Sequence, residues 1–156
     1  MAIEHDSIPV GEIHEPKGVT TAASGSVYVA NGGSGDWTPL NNLNLIAINV
    51  HHDEVDSATS KYVVAPVAGN IQKIYGVLDG SFTGGDTTLT AKIGGVSVTN
   101  GAMTFATSGS AAGDVQTATP SAANTVTAGQ AIEFSSDGAS STAGTHVELT
   151  ILLDVS

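Results

Sequence analysis

The sequence contains no cysteine, no arginine and only four lysines, and aromatic residues make up just 4% of it. Without cysteine there is no disulfide framework, no zinc–thiolate site and no thiol nucleophile. Lys17, Lys61, Lys73 and Lys92 stand against fifteen Asp plus Glu, for a formal net charge of −11. A surface of that sign repels nucleic acid, and the scattered lysines cannot neutralise a run of phosphates. An anionic membrane is repelled for the same reason. No apolar run approaches the roughly 18 residues that span a bilayer. The segment Met1–Asp6 has neither a basic n-region nor an apolar h-region, so no secretory signal is expected there. Neither nucleic acid nor membrane is an expected partner.

The composition that remains is that of a strand-rich globular chain. Its 156 residues suffice for one sizeable core. Only 12% of them are charged while 40% are hydrophobic, the reverse of an acidic disordered tail. Nineteen glycines, eighteen threonines and sixteen serines favour short strands joined by many turns over long helices.

The charge distribution changes near residue 57, with four of the five histidines before it. Residues 1–40 hold Pro9, Pro16, Pro39 and the glycine-rich stretch Asn31–Asp36, without sustained periodicity. They read as an extended N-terminal arm with one strand, Ser26–Ala30, followed by a flexible loop. Residues 41–156 read as the folded domain. From about Leu43 the period is two. Ile46, Ile48 and Val50 alternate with Ala47, Asn49 and His51; Tyr62 and Val64 alternate with Val63 and Ala65; Leu89, Ala91 and Ile93 alternate with Thr88, Thr90 and Lys92. Val147, Leu149, Ile151 and Leu153 form the clearest such face. Each pattern sets one face on a core and one toward water. Gly94-Gly95 predicts a two-residue hairpin. Asp79-Gly80, Gly84-Gly85, Asn100-Gly101 and Asp137-Gly138 predict further reversals. Residues 107–130 form a long connection with one weak strand near Asp114–Ala118. Ile71, Ile74, Tyr75, Val77 and Leu78 break alternation, which calls for a bulge near Gln72–Lys73 or burial of both faces. The predicted fold is all-β: an antiparallel β-sandwich, jelly-roll-like, with an extended N-terminal arm.

Motifs of catalysis are sparse. There is no Gly-x-Ser-x-Gly elbow and no phosphate-binding loop, and serines in these numbers fit turn composition. His51-His52-Asp53-Glu54 carries metal-binding residue types. Adjacent strand residues point to opposite faces, however, so His51 and His52 cannot chelate one ion. No metal and no cofactor is expected. Trp37, beside Tyr28, Asp36, Thr38, Asn41, Asn42 and Asn44, suits either a sugar platform or an anchor against a core or neighbouring chain; the anchor is preferred. His5, His14, His51, His52 and His146 lie near carboxylates in sequence, which could make an interface sensitive to pH.

The run Gly11-Glu12-Ile13-His14-Glu15-Pro16-Lys17-Gly18-Val19, continuing through Ala22–Trp37 with Val27-Tyr28-Val29-Ala30-Asn31-Gly32, resembles a segment of head decoration and head-fibre proteins of tailed bacteriophages. The resemblance covers residues 11–37. It implies a β-sandwich bound to the outside of a capsid, often as a trimer, with no enzymatic activity. The implied partners are the major capsid protein and further copies of this chain. The implied capsid contacts are His14, Glu15, Pro16, Lys17, Tyr28 and Trp37, and the implied location is the outer capsid surface of a virion. The alternative is a host-adhesion or glycan-binding module on a virion surface.

Overall fold

The computed structural model describes residues 26–31, 34–39, 44–140 and 145–155. The chain divides into two compact units, Met1–Leu43 and Asn44–Ser156.

In the first unit, β1 (Ser26–Asn31) pairs antiparallel with β2 (Ser34–Pro39). Asn31 lies opposite Ser34, so only Gly32 and Gly33 join the strands. The flexible loop expected over Asn31–Asp36 is thus corrected: Asn31 belongs to β1, and Ser34, Gly35 and Asp36 belong to a second strand. A glycine-rich stretch suits strand ends and loops alike, and composition cannot separate the two.

The second unit is a β-sandwich. Its strands are β3 (Leu45–His52), β4 (Ser60–Val64), β5 (Gly69–Leu78), β6 (Thr87–Ile93), β7 (Val96–Phe105), β8 (Val115–Ala118), β9 (Thr125–Val126), β10 (Ala131–Ser136) and β11 (Val147–Asp154). One sheet has the order β4-β10-β6-β7; the other has the order β3-β11-β5-β8, with short β9 also on β5. Every pairing in both sheets is antiparallel. Leaving out β9, the sheets take the second, seventh, fourth and fifth strands and the first, eighth, third and sixth. That interleaving is the jelly roll, so the predicted antiparallel β-sandwich is observed; the extended arm expected over residues 1–40 lies mostly outside the described residues.

Alternation explains the core. From the five-stranded sheet come Ile71, Ile74, Leu149, Ile151 and Leu153; from the four-stranded sheet come Leu89, Ala91, Met103, Phe105, Ile132 and Phe134. The opposite faces carry Thr, Ser, Glu, Lys and Asn. Burying these apolar faces supplies the main stabilisation, at about 25 cal/mol per Å² removed from water.

Two irregularities shape the sheets. The register between β11 and β5 passes from Leu152↔Lys73 to Leu153↔Ile71, so Gln72 is the extra residue of a bulge, one of the two explanations that the broken alternation left open. In β7, Asn100-Gly101 is not a reversal. The register passes from Thr90↔Ala102 to Lys92↔Ser97, and Asn100 takes φ of 58° inside the strand. Its amide donates to Ser121 Oγ at 2.9 Å. Asparagine tolerates the left-handed region, and here that freedom serves a bulge, not a hairpin. The Gly94-Gly95 turn does form, with φ of 58° and 80°.

Candidate binding surface

The outer face of the four-stranded sheet is built by β10 lying between β4 and β6. Glu133 is opposite Tyr62 on one side and Lys92 on the other. Tyr62 is 62% exposed and Val64 is 56% exposed. The end of β4 over Tyr62–Val64 is apolar on both of its faces, so alternation alone cannot orient it. Pairing with β10 decides: Val63 sits opposite buried Ile132 and packs on the core, which turns Tyr62 and Val64 to solvent.

Beside Tyr62 lies an ordered polar set. Ser60 Oγ donates to Glu133 Oε1 at 2.7 Å, and Lys92 Nζ is 3.5 Å from the same oxygen. Farther along the face, Ser135 is opposite Thr90, and the hydroxyls of Thr88 and Thr104 meet at 3.1 Å. A pyranose has the same needs: an apolar ring face to lie on, and fixed donors and acceptors for hydroxyls. Glu133 offers acceptor oxygens, Lys92 donors and Ser60 both.

No catalytic centre stands out among the described residues. An open depression of about 260 Å³ is lined by residues including Leu78, Phe105, Ser108, Asp114 and Gln116. That is below the usual size of ligand pockets. Its carboxylate is already engaged, because Asp114 Oδ2 accepts from the Ala111 amide at 2.8 Å.

The residues singled out in the sequence are distributed differently. His14, Glu15, Pro16 and Lys17 lie outside the described residues, as do Asn41 and Asn42. Tyr28 and Trp37 are directly opposed across the β1–β2 pair. Asn44, through its backbone carbonyl, accepts from Val155 N at 2.8 Å. His51 and His52 do face opposite ways: His51 is exposed and His52 is fully buried. Asp53 pairs with Lys61, whose ammonium holds the Asp53 carboxyl below its ordinary range while Lys61 is raised in turn. The pair is exposed enough that it adds little stability. Sequence reasoning missed Tyr62, Glu133 and Lys92 as a group. The one available signal was a tyrosine on a strand end with two apolar faces.

No family model matches the sequence, and no curated protein matches it. A solved structure of CsCBM6-3 from Clostridium stercorarium in complex with cellobiose aligns with a TM-score of 0.44 and 12% identity, over 85% of this chain and 84% of that chain. The likeness concerns the fold alone.

His52 makes the sandwich sensitive to acid. Neither of its ring nitrogens completes a hydrogen bond, although the Thr59 and Phe134 backbone lies beside the ring. Burial foremost, and then the Lys61 charge, push its pKa below the ordinary 6.5. The unfolded chain therefore binds a proton that the folded chain refuses, and stability falls as pH drops below about 6.5. This window lies above the one in which Asp53 is protonated. Urea midpoints at pH values of about 7.5 and 5 should differ in the wild type. The difference should shrink in His52→Leu; an unchanged difference would place the acid sensitivity elsewhere.

Proposed function

We propose that this chain is a non-catalytic binding module of a virion surface, and that its sandwich recognises carbohydrate through the outer face of the four-stranded sheet. The observation that carries the reading is Tyr62, an aromatic side chain 62% exposed on a sheet face, with the Ser60–Glu133–Lys92 set beside it. Tyr62 with Val64, 56% exposed on the same face, offers an apolar strip on which a sugar ring can lie. The fixed carboxylate, ammonium and hydroxyl supply orientation. The virion placement rests on the resemblance of residues 11–37.

A glycan array probed with the full chain tests this. Saturable binding to at least one glycan is expected, weakened about tenfold or more by Tyr62→Ala and weakened by Glu133→Gln. Trp37→Ala should leave it unchanged. Binding lost with Trp37→Ala and kept with Tyr62→Ala would move the site to the first unit.

A second reading is a capsid decoration protein that clamps the major capsid protein, as a trimer. The specific observation in its favour is that the resembling segment ends in the β1–β2 pair, which sets Tyr28 opposite Trp37 in a unit separate from the sandwich. Such a tether works multivalently when several copies bind one shell. Capsids incubated with a chain lacking residues 1–40 would retain no bound protein on this reading. Light scattering that shows only monomers, free and on the shell, would remove the trimer.

A further inference from the structure

We infer that the outer face of the five-stranded sheet holds a binding site for a divalent transition-metal ion of the zinc class, made by the Nε2 atoms of His51 and His146. It is independent of the carbohydrate reading and lies on the other sheet.

The strand register brings the residues together. On β11 and its lead-in, His146 and Glu148 are two apart and share a face. Glu148 is opposite His51 of β3. Beyond the pair Val147↔Leu78, His146 meets Asp79 at the end of β5. His51 and His146 are thus diagonal neighbours across one strand pair, a spacing that ring side chains bridge. Their ring centres are 4.9 Å apart with an interplanar angle of 71°. Two imidazoles on one tetrahedral zinc, with Zn–N near 2.0–2.1 Å, hold their ring centres about 5 Å apart.

Each ring already carries on Nδ1 the carboxylate partner that a metal-binding imidazole has on its second nitrogen. His51 Nδ1 is bonded to Glu148 Oε1. His146 Nδ1 lies 3.2 Å from Asp79 Oδ2, while the His146 amide donates to Asp79 Oδ1 at 2.8 Å and the Asp79 amide donates to the His146 carbonyl at 3.2 Å. A carboxylate on one ring nitrogen sets the tautomer and leaves the other nitrogen as ligand. Here both Nδ1 atoms are taken, so both free nitrogens are Nε2. The side chains of His51 and His146 are 45% and 35% exposed, open to an ion from solvent. Among the described residues no three His, Asp or Glu side chains are placed to hold an ion together. The chain therefore supplies two ligands, and water or a second copy supplies the rest. Imidazole donors select zinc, nickel or copper over magnesium or calcium.

Calorimetric titration of the full chain with zinc chloride at about pH 7.5 tests the site. Saturable binding is expected, and either one ion per chain or one per two chains supports it. His51→Ala and His146→Ala should each abolish the heat, and Glu148→Gln or Asp79→Asn should weaken binding about 10–100-fold. Replacing His5 and His14 with alanine should leave it unchanged. In NMR spectra zinc should shift the ring signals of His51 and His146 and not those of buried His52. All four side chains lie on the surface, so circular dichroism should match the wild type. No heat with the wild type, heat that survives the double His51→Ala/His146→Ala change, or equal heat with magnesium chloride would overturn the site.

Discussion

Phe134→Ala is expected to lower the unfolding free energy of the sandwich by about 3–5 kcal/mol. Phe134 is fully buried on β10, the strand that links β4 to β6. Its partner on β6 is Ala91, a small buried residue that cannot expand into the space left behind. The lost ring therefore leaves a cavity, and its cost adds to the lost transfer free energy. Domains of this size have about 5–15 kcal/mol in total, so the loss is a large share of it. Urea unfolding should show a lower midpoint with the slope unchanged. A loss below about 1 kcal/mol would mean that the neighbouring side chains collapse into the space the ring leaves.

Gly138→Ala is the second large effect, and its control is Gly94→Ala. Gly138 has φ of 70°, where an alanine costs about 1–2 kcal/mol. An added Cβ would also lie 2.5 Å from the Ala58 nitrogen and 2.8 Å from the Ser57 carbonyl carbon. Both are backbone atoms, so relief requires moving the connection between β3 and β4. That connection is tied down: Ser136 Oγ donates to the Val55 carbonyl at 3.0 Å, and Ser136 N donates to the Thr59 carbonyl at 2.9 Å. Overpacking of this kind adds about 1–3 kcal/mol, for about 2–5 kcal/mol together. Gly94 has a similar φ of 58°, but a Cβ added there would meet no atom within 4 Å, so Gly94→Ala should show the conformational cost alone. Equal effects at the two positions would show that the segment at Ser57–Ala58 yields freely.

Several elements could be read directly because the signal was local. The face Val147, Leu149, Ile151 and Leu153 is buried throughout, since alternation is a property of one strand. Gly94-Gly95 turns as its residue types demand. The bulge at Gln72 was visible as a break in period. Other features were not readable, for physical reasons. Asn100-Gly101 has hairpin chemistry, but the pairing of β7 with β6 continues past it as a bulge. Tyr62 stands on a strand end apolar on both faces, so only the partner strand could orient it. The Asn31–Asp36 stretch suits a loop and strand ends equally.

The amino-acid order alone determined that this chain is built of short strands, which residues of most strands face inward, and where turns such as Gly94-Gly95 fall. These follow from side-chain direction and allowed φ, both set within a few residues. Tertiary structure decided which strands are neighbours. Inserting β10 between β4 and β6 brings Glu133 to Ser60 across 73 positions, and pairing β11 with β3 brings Glu148 to His51 across 97. Alternation specifies a face and not a neighbour, and long-range pairing is chosen only when both sheets close over one core. Both proposals rest on residues that this pairing brings together.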